Sequence, residues 1–279
     1  MKKGISIWSF GSMPLKDTFA LAKAARFDGV EVALDETGEL SLTSTPEEIA
    51  SIKSAAEDAG IRLYSVACGL YWSYSLTDDR VEIREKAKHI VRRQIEIAHA
   101  LGCDSILVIP GTVNADFADP NTVVDYEVAY NRSLEAFLEL KVHAETHQIH
   151  VGLENVWNKF LTSPMEMREF IDKIDSPYVG CYLDVGNVLF NGYPEHWVRI
   201  LGSRIKKVHF KDYRKAAGGL HGFVDLLAGD VDYPAVMAAL TAAGYDDWVT
   251  AEMIPNYRTY NEVLIHNTSN AMDKILGRS

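Results

Sequence analysis

Short apolar runs alternate with longer amphipathic stretches along the whole chain. Each apolar run has the length of a buried strand. The predicted strands are Gly4–Trp8, Gly29–Ala33, Arg62–Ala67, Ser105–Ile109, His150–Leu153, Val179–Leu183, Ile205–Phe210 and Trp248–Ala251. The stretches between them repeat apolar residues every three or four positions, which is typical of helices with one buried face. The predicted helices are Leu15–Arg26, Pro46–Ala59, Asp79–Leu101, Thr122–His147, Ser163–Ile174, Pro194–Leu201, Tyr233–Ala243 and Tyr257–Leu276.

Residues at the ends of the predicted helices agree with these boundaries. Gly60, Gly102 and Gly244 each follow a predicted helix shortly before a strand, where glycine forms the left-handed C-terminal cap. Thr45 and Ser163 each precede a proline and an acidic first turn, which is the pattern of a helix N-terminus. The end signals therefore support a regular alternation of strands and helices.

Eight strand–helix units in a chain of 279 residues predict an α/β fold, the (β/α)8 TIM barrel, which usually takes about 250 residues. An open doubly wound sheet is the alternative fold for this alternation. Its first strand would normally lead into a glycine-rich phosphate loop, and Gly11-Ser12-Met13-Pro14 is not one. Because no linker or low-complexity segment divides the chain, we expect a single TIM-barrel domain over residues 1–279.

The composition narrows the class of protein. A formal net charge of −11 disfavours a nucleic-acid partner, because proteins that bind nucleic acid usually present a basic face. Cys68, Cys103 and Cys181 lack metal-type spacing, so they are interpreted as small buried thiols in a reducing compartment. No signal peptide and no apolar run of transmembrane length is found. We expect a cytoplasmic protein with neither nucleic acid nor a membrane as partner.

Four residues that can bind a metal lie at the carboxyl ends of four different predicted strands: Glu154, Asp184, His209 and Glu252. A carboxylate at the end of a buried strand is costly unless it is paired, protonated or bound to a metal. Taken singly, such a residue is more often a helix cap, a salt-bridge partner or a hydrogen-bonded core histidine. Four of them at equivalent strand ends favour a functional site, because a closed barrel brings these ends together where active sites lie.

The types of these four side chains indicate a chemistry. Three carboxylates and one imidazole suit one divalent metal with a preference for oxygen ligands, first Mn²⁺ and otherwise Mg²⁺ or Co²⁺. Such a metal would hold two neighbouring oxygens of a hydroxy-ketone and stabilise the enediolate that forms between them. Two carboxylates on opposite sides of the carbon could remove and return its proton. The outcome would be epimerisation, or aldose–ketose isomerisation if the proton moves between neighbouring carbons.

Several motifs resemble the xylose-isomerase-like TIM-barrel superfamily, and within it the sugar and sugar-phosphate isomerases and ketose 3-epimerases. They are Leu153-Glu154-Asn155, Tyr182-Leu183-Asp184-Val185-Gly186-Asn187, Val208-His209-Phe210-Lys211-Asp212 and Ala251-Glu252-Met253. The resemblance covers nearly the whole chain and rests on the order and spacing of the motifs. It implies that Glu154, Asp184, His209 and Glu252 bind one metal and that both glutamates act as the acid/base pair.

The resemblance also implies a basic residue shortly after the histidine that contacts the substrate. Arg214 is the first candidate, ahead of Lys211 and Lys215, and a solvated loop charge is the simpler interpretation of Arg214. Free-ketose 3-epimerases often carry a histidine where this chain has Asn187, and their sequence after the first glutamate also differs. This departure favours a phosphorylated or otherwise modified ketose.

Further residues are candidates for the substrate pocket. Asn187 and Asn158 could each hydrogen-bond a sugar hydroxyl. Aromatic faces at Trp8, Trp72 and Trp157 could pack against sugar C–H groups, although they could equally plug the mouth of the barrel. Glu31 is a candidate hydrogen-bond acceptor next to the metal ligands, and a structural ion pair is its simpler role.

Three other functions are compatible with parts of this pattern. The same site could serve a dehydratase or lyase acting on a keto-sugar or keto-inositol, because elimination also follows proton removal next to a carbonyl. A nuclease of the endonuclease IV type would need more histidines and a basic surface. A non-catalytic sugar-binding protein would not need two carboxylates around one carbon. The expected partner is therefore a sugar or sugar phosphate, and a homo-oligomer is compatible with the sequence.

Overall fold

The computed structural model describes residues 1–118 and 121–278. Eight parallel strands close into a barrel in the order β1-β10-β7-β6-β5-β4-β3-β2. These strands are β1 (Lys2–Ser6), β2 (Gly29–Leu34), β3 (Arg62–Cys68), β4 (Ser105–Val108), β5 (His150–Glu154), β6 (Val179–Asp184), β7 (Ile205–Phe210) and β10 (Trp248–Ala251). Strands β8 (Asp212–Tyr213) and β9 (Phe223–Val224) pair antiparallel outside the barrel. The (β/α)8 TIM barrel is therefore confirmed.

Helices lie between the strands and cover the outside of the barrel. They are α1 (Leu15–Ala24), α2 (Pro46–Asp58), α3 (Val81–Leu101), α4 (Tyr126–His147), α5 (Pro164–Ile174), α6 (Val185–Val188), α7 (Pro194–Leu201), α8 (Tyr233–Ala242) and α9 (Asn261–Ile275). The short α6 was not predicted, and the other eight agree with the predicted helices within a few residues at each end. None of the described helices combines the length and the apolar character that crossing a bilayer requires.

The predicted helix ends are confirmed in atomic detail. Gly60, Gly102 and Gly244 have φ values of 67°, 79° and 72°, in the left-handed region that glycine enters without strain. The Thr45 hydroxyl accepts from the Glu48 amide, and the Glu48 carboxylate accepts from the Thr45 amide, so the two residues form a capping box. These local signals position the helices that support the barrel.

The first strand is shifted from its predicted position. It spans Lys2–Ser6 instead of Gly4–Trp8, and its pairing with β2 ends at Ser6 opposite Glu31. The apolar residues that follow form a 3-10 turn over Ile7–Phe10. Since an apolar run alone does not distinguish a strand from a buried turn, the prediction extended the strand too far.

Close packing inside the barrel determines which rings lie beneath the site. A Cβ atom at Gly152 would lie 2.8 Å from the Tyr182 ring, so only glycine leaves room for this buried tyrosine. The Tyr182 ring packs edge-on against His209, with 4.6 Å between the ring centroids. The three cysteines are buried free thiols, as expected from the sequence.

A buried lysine links strands at the amino end of the barrel. The Lys207 ammonium lies 2.9 Å from Asp104, which precedes β4, and 2.6 Å from Asp247, which precedes β10. This ammonium lies at the opposite end of the barrel from the carboxyl ends of the strands. Lys207 on β7 therefore forms salt bridges with the aspartates that precede β4 and β10.

Replacing Lys207 by methionine keeps the apolar stem and removes the ammonium that Asp104 and Asp247 share. We expect the free energy of unfolding to fall by about 1–3 kcal/mol, because the partly buried Asp247 carboxylate loses its partner. Urea denaturation followed by circular dichroism measures this loss. The exposed Lys16→Met on α1 serves as control, and an equal effect of both changes would contradict the pairing role.

Candidate metal centre

Four side chains converge at the carboxyl end of the barrel. Glu154 ends β5, Asp184 ends β6, His209 lies one residue before the end of β7, and Glu252 directly follows β10. One ligand atom of each lies within 4.8 Å of those of the other three, and all four residues are buried. Asp184 and His209 stand opposite each other in the register of β6 and β7. The structure therefore brings together the four residues that the sequence placed at separate strand ends.

Three buried atoms in this cluster lack a hydrogen bond and fit a cation, although the Lys211 ammonium already contacts one of them, Glu252 Oε2. Asp184 Oδ2, His209 Nδ1 and Glu252 Oε2 are buried and make no hydrogen bond of good geometry with the described residues. Burying such atoms without partners is costly. The His209 Nδ1 atom lies 3.5 Å from Glu154 Oε1, 3.9 Å from Asp184 Oδ2 and 3.7 Å from Glu252 Oε2. Three carboxylates and one imidazole facing one another form a donor set for a divalent metal.

Glu31 orients the His209 imidazole through the ring nitrogen that does not face the other three clustered residues. The His209 Nε2 atom lies 2.9 Å from Glu31 Oε1, and the Tyr182 hydroxyl donates to the other oxygen of Glu31. An Nε2 atom that donates to Glu31 leaves the Nδ1 lone pair facing the three carboxylates. Glu31 is therefore the hydrogen-bond acceptor that the sequence suggested, although it lies within β2 and not at its end.

Replacing Glu31 by glutamine weakens this hold on the imidazole while keeping the size of the side chain. We expect metal affinity to fall by about 10–100-fold, the usual cost of losing such a supporting contact. Isothermal titration with Mn²⁺ measures the affinity, and circular dichroism verifies the fold. Wild-type affinity in Glu31→Gln would show that the imidazole does not depend on Glu31.

Lys211 places a positive charge beside the cluster. Its ammonium contacts Glu252 Oε2 and lies 3.5 Å from Asp184 Oδ2. The same ammonium lies 5.1 Å from the centroid of the Phe223 ring. The sequence favoured Arg214 as the basic residue near the substrate, with Lys211 as a weaker candidate. Of these two residues, the structure brings Lys211 to the cluster.

Burial and mutual repulsion alter the ionisation of these groups. Burial, followed by the Glu252 charge, raises the pKa of Glu154 to about 7. Burial also raises the pKa of Asp184. For Glu252, burial acts upward, but Lys211 and His209 outweigh it and lower the pKa. Burial opposes the charged form of His209, yet Glu31 and Glu252 raise its pKa well above the ordinary value. The cluster therefore holds its negative charge only with cationic support.

Asparagine side chains fix the backbone around Asp184. The Asn155 amide donates to the Asp184 carbonyl, and its oxygen accepts from the Asp184 amide, both at 2.9 Å. Asp184 Oδ1 caps α6 by accepting from the Asn187 amide at 2.7 Å. Helix capping thus uses one oxygen of Asp184 and leaves Oδ2 for the cluster. Asp184 is therefore a helix cap, as the simpler interpretation expected, and its second oxygen stays directed towards the cluster.

A cavity of about 760 Å³ opens above the cluster. Four of the six predicted substrate-binding residues line it: Trp8, Trp72, Trp157 and Asn187. Of the four clustered residues, Glu154 and Glu252 border the cavity, whereas Asp184 and His209 are fully buried.

The other two predicted substrate-binding residues lie elsewhere. Arg214 is exposed, does not line the cavity, and donates to the Ala228 carbonyl at 2.7 Å. Asn158 is buried, donating to the Gly111 carbonyl and accepting from the Phe160 amide. Both predictions placed a residue near the substrate because it follows a strand end by a few positions in the sequence. The conformation of the loop, and not this distance in sequence, determines where each side chain lies. Asn158 supports a loop, and Arg214 closes a turn.

Asp212 organises the loop that follows β7, a role that was not predicted from the sequence. Its buried carboxylate accepts from the amides of Tyr213, Leu227 and Val231 at 2.9, 2.9 and 3.1 Å. These bonds fold the segment between β7 and α8 back over the barrel, so that Phe223 lines the cavity. In the sequence, the one indication of this structural role was an aspartate that directly follows Lys211 at the start of a long loop.

Comparison with known proteins gives the family. The family model described as xylose isomerase-like TIM barrel matches residues 19–268, and the chain therefore belongs to this family. A putative L-ribulose-5-phosphate 3-epimerase of Escherichia coli (strain K12) is 26% identical over 243 residues, covering 85% of this chain and 82% of the relative. An L-ribulose-5-phosphate 3-epimerase of Salmonella paratyphi C is 23% identical over 228 residues, covering 81% and 77%.

The fold is likewise shared with a solved epimerase. The structure of D-psicose 3-epimerase with D-tagatose, from Clostridium cellulolyticum H10, matches with a TM-score of 0.81. The match covers 99% of each chain at 19% sequence identity. The superfamily expected from the strand-end motifs is thus confirmed.

Proposed function

We propose that this protein is a divalent-metal-dependent epimerase or isomerase of a ketose or ketose phosphate. The observation that carries the proposal is that Glu154 and Glu252 border the cavity while Asp184 and His209 are buried behind them. A structural metal site is closed, whereas a catalytic one faces a space that admits substrate. The names of the curated relatives support the same reaction class.

Glu154, Asp184, His209 and Glu252 would hold the metal, and the oxygen-rich donor set favours Mn²⁺ over a zinc-type ion. When bound, a divalent metal lowers the energy of negative charge on a substrate carbonyl oxygen and its neighbouring hydroxyl.

The two glutamates move the proton. They come from β5 and β10, which are separated in the barrel by β6 and β7, so their carboxylates reach the substrate from different sides. One carboxylate removes the proton from the carbon next to the carbonyl, and the other delivers a proton to the opposite face. This two-sided arrangement favours epimerisation over a transfer that uses one face only.

Other residues bind the substrate and exclude water. The Lys211 ammonium lies beside Glu252 at the edge of the cavity, where it can also donate to a substrate oxygen. Asn187 lines the same space. The Trp8, Trp72 and Trp157 side chains form aromatic walls for the C–H faces of a sugar and shield the developing anion from water.

Proton exchange in D₂O tests this function. The Mn²⁺-loaded protein is incubated with free and phosphorylated ketoses, and each mixture is followed by NMR. We expect deuterium to appear at the carbon next to the carbonyl together with the epimeric ketose. Exchange followed by loss of water or a leaving group would assign a lyase instead, and an aldose product would assign an isomerase. Absence of exchange with every ketose would contradict the proposal.

A further inference from the structure

We infer that the natural substrate carries an apolar group beyond its reacting carbons, such as the alkyl or aromatic aglycone of a keto-sugar, and not a phosphate. This inference rests on the proposed function, because it concerns what the same cavity holds above Glu154 and Glu252. The sequence left open whether the substrate is a phosphorylated sugar or a sugar modified in another way, and the inference favours the second.

Apolar side chains from three different loops form the mouth of the cavity. Phe117 follows β4, Leu220 follows β7 and Ile254 follows β10, and all three line the cavity. Their exposed fractions are 45%, 47% and 45%. Single exposed hydrophobic residues are common, but three that converge on one opening form an apolar surface that a ligand can cover.

The aromatic walls continue this apolar surface towards the metal centre. Trp72 packs edge-on against Phe117 with 4.7 Å between ring centroids, and both line the cavity. Trp157 stacks on Phe223 with 5.1 Å between ring centroids, and both line the cavity too. A planar or alkyl group fits between such walls, whereas a dianion would lose its hydration there without compensation.

Cations that could bind a phosphate are scarce around the cavity. Among the described lining residues, only Lys211 and His221 are basic. The Lys211 ammonium already contacts Glu252 and lies 3.5 Å from Asp184. Lys159 is directed to Asn114 and Asp116, at 2.7 Å each. A phosphate is normally held by several charge-assisted donors or by a bidentate arginine, and the described side chains that line this mouth offer neither.

The size of the cavity also favours a substrate with an apolar substituent. Its volume of about 760 Å³ lies within the range of roughly 300–1,000 Å³ found for sites that hold drug-sized ligands. A single five- or six-carbon sugar over the two glutamates leaves the outer part of this space empty. An apolar substituent would fill the outer part and cover the exposed Phe117, Leu220 and Ile254 side chains.

Matched substrate pairs test the inference. The first pair is methyl and phenyl 3-keto-β-D-glucopyranoside, and the second is ribulose and ribulose 5-phosphate, each with the Mn²⁺-loaded protein in D₂O. We expect the phenyl compound to exchange its proton with a kcat/KM at least about tenfold above that of the methyl compound, because ring burial contributes binding. We expect the phosphate to give no such gain over free ribulose.

A matched pair of variants locates the effect at the mouth of the cavity. Leu220→Ser should lower the phenyl-to-methyl ratio of kcat/KM by about threefold or more, because one large apolar contact is removed. Leu138→Ser, on the outer helix α4 with 42% exposure, should leave the ratio at the wild-type value. Equal ratios in the wild type and Leu220→Ser would overturn the assignment of this surface.

The outcomes separate the inference from the proposed function. Faster exchange of ribulose 5-phosphate than of the phenyl compound would overturn the inference and leave the epimerase proposal standing. If no compound exchanges, the proposed function fails, and binding decides the inference by itself. Tryptophan fluorescence then compares phenyl and methyl β-D-glucopyranoside, since Trp8, Trp72 and Trp157 line the cavity. Tighter binding of the phenyl compound supports the apolar site, and equal or absent binding overturns it.

Discussion

Glu252→Gln is expected to abolish proton exchange at the substrate carbon while the barrel remains folded. Glutamine keeps the shape of the side chain at the end of β10 but cannot accept a proton as a base. One positioned acid or base contributes about 10²–10⁴-fold to such a reaction, so we expect a loss in that range or greater. The effect should exceed the contribution of acid/base chemistry alone, because Glu252 is also one of the four residues that we propose to hold the metal.

Two measurements separate these contributions. Mn²⁺ titration of Glu252→Gln gives the loss of affinity, and exchange in D₂O at saturating Mn²⁺ gives the loss of chemistry. The matched control is Glu262→Gln on the exposed surface of α9, which should behave as the wild type in both assays. Wild-type exchange in Glu252→Gln at saturating metal would remove this residue from the mechanism.

His209→Ala should have the largest effect on metal binding. His209 offers the one nitrogen among the four residues that we propose to hold the metal, and losing a mere supporting contact already costs about 10–100-fold in affinity. We therefore expect metal affinity to fall by more than about 100-fold. The change also leaves the buried Glu31 carboxylate without the imidazole that lies 2.9 Å from it. Breaking a buried charge pair should lower the free energy of unfolding by about 3 kcal/mol.

The metal content of purified His209→Ala, measured by elemental analysis, and its urea denaturation curve test both effects. His266→Ala changes an exposed histidine on α9 and serves as the control. Normal metal content in His209→Ala would exclude this residue from the ligand set. Lost metal with unchanged stability would show that Glu31 finds another partner in the variant.

The fold and the convergence of the four clustered residues could be predicted because both follow from periodic features of the chain. Strand and helix patterns alternate eight times, and Glu154, Asp184 and Glu252 each follow the last apolar residue of a strand. In a parallel barrel every strand ends at the same rim, so the position of a residue within its strand determines its place in the molecule. His209 entered the prediction by the same rule, and the register of β6 and β7 places it opposite Asp184.

The residues in the loops after the strands could not be placed in this way. Arg214 and Lys211 lie three residues apart, yet only Lys211 reaches the cluster, because Asp212 accepts three amides and turns the loop between them. Asn158 points to the Gly111 carbonyl in the preceding strand-end loop. Such contacts join segments far apart in sequence, and no local pattern encodes them.

Of the strand residues that support the cluster, one could be predicted from the sequence and another could not. Glu31 could be suggested because a carboxylate within a buried strand needs a partner. Tyr182 could not, since its partner Glu31 lies 151 residues away in the chain and its space depends on the absence of a side chain at Gly152. Contacts of β6 with its neighbour β5 and with the non-neighbouring β2 determine this part of the site.

The most direct test of the account is the dependence of proton exchange on metal stoichiometry. The protein is stripped with a chelator, Mn²⁺ is returned in steps, and exchange at the carbon next to the carbonyl of a reactive keto-sugar is measured after each step. The account predicts no exchange without metal and a linear rise that levels off at one Mn²⁺ per chain. Full exchange in the stripped protein, or exchange unaffected by added metal, would contradict it.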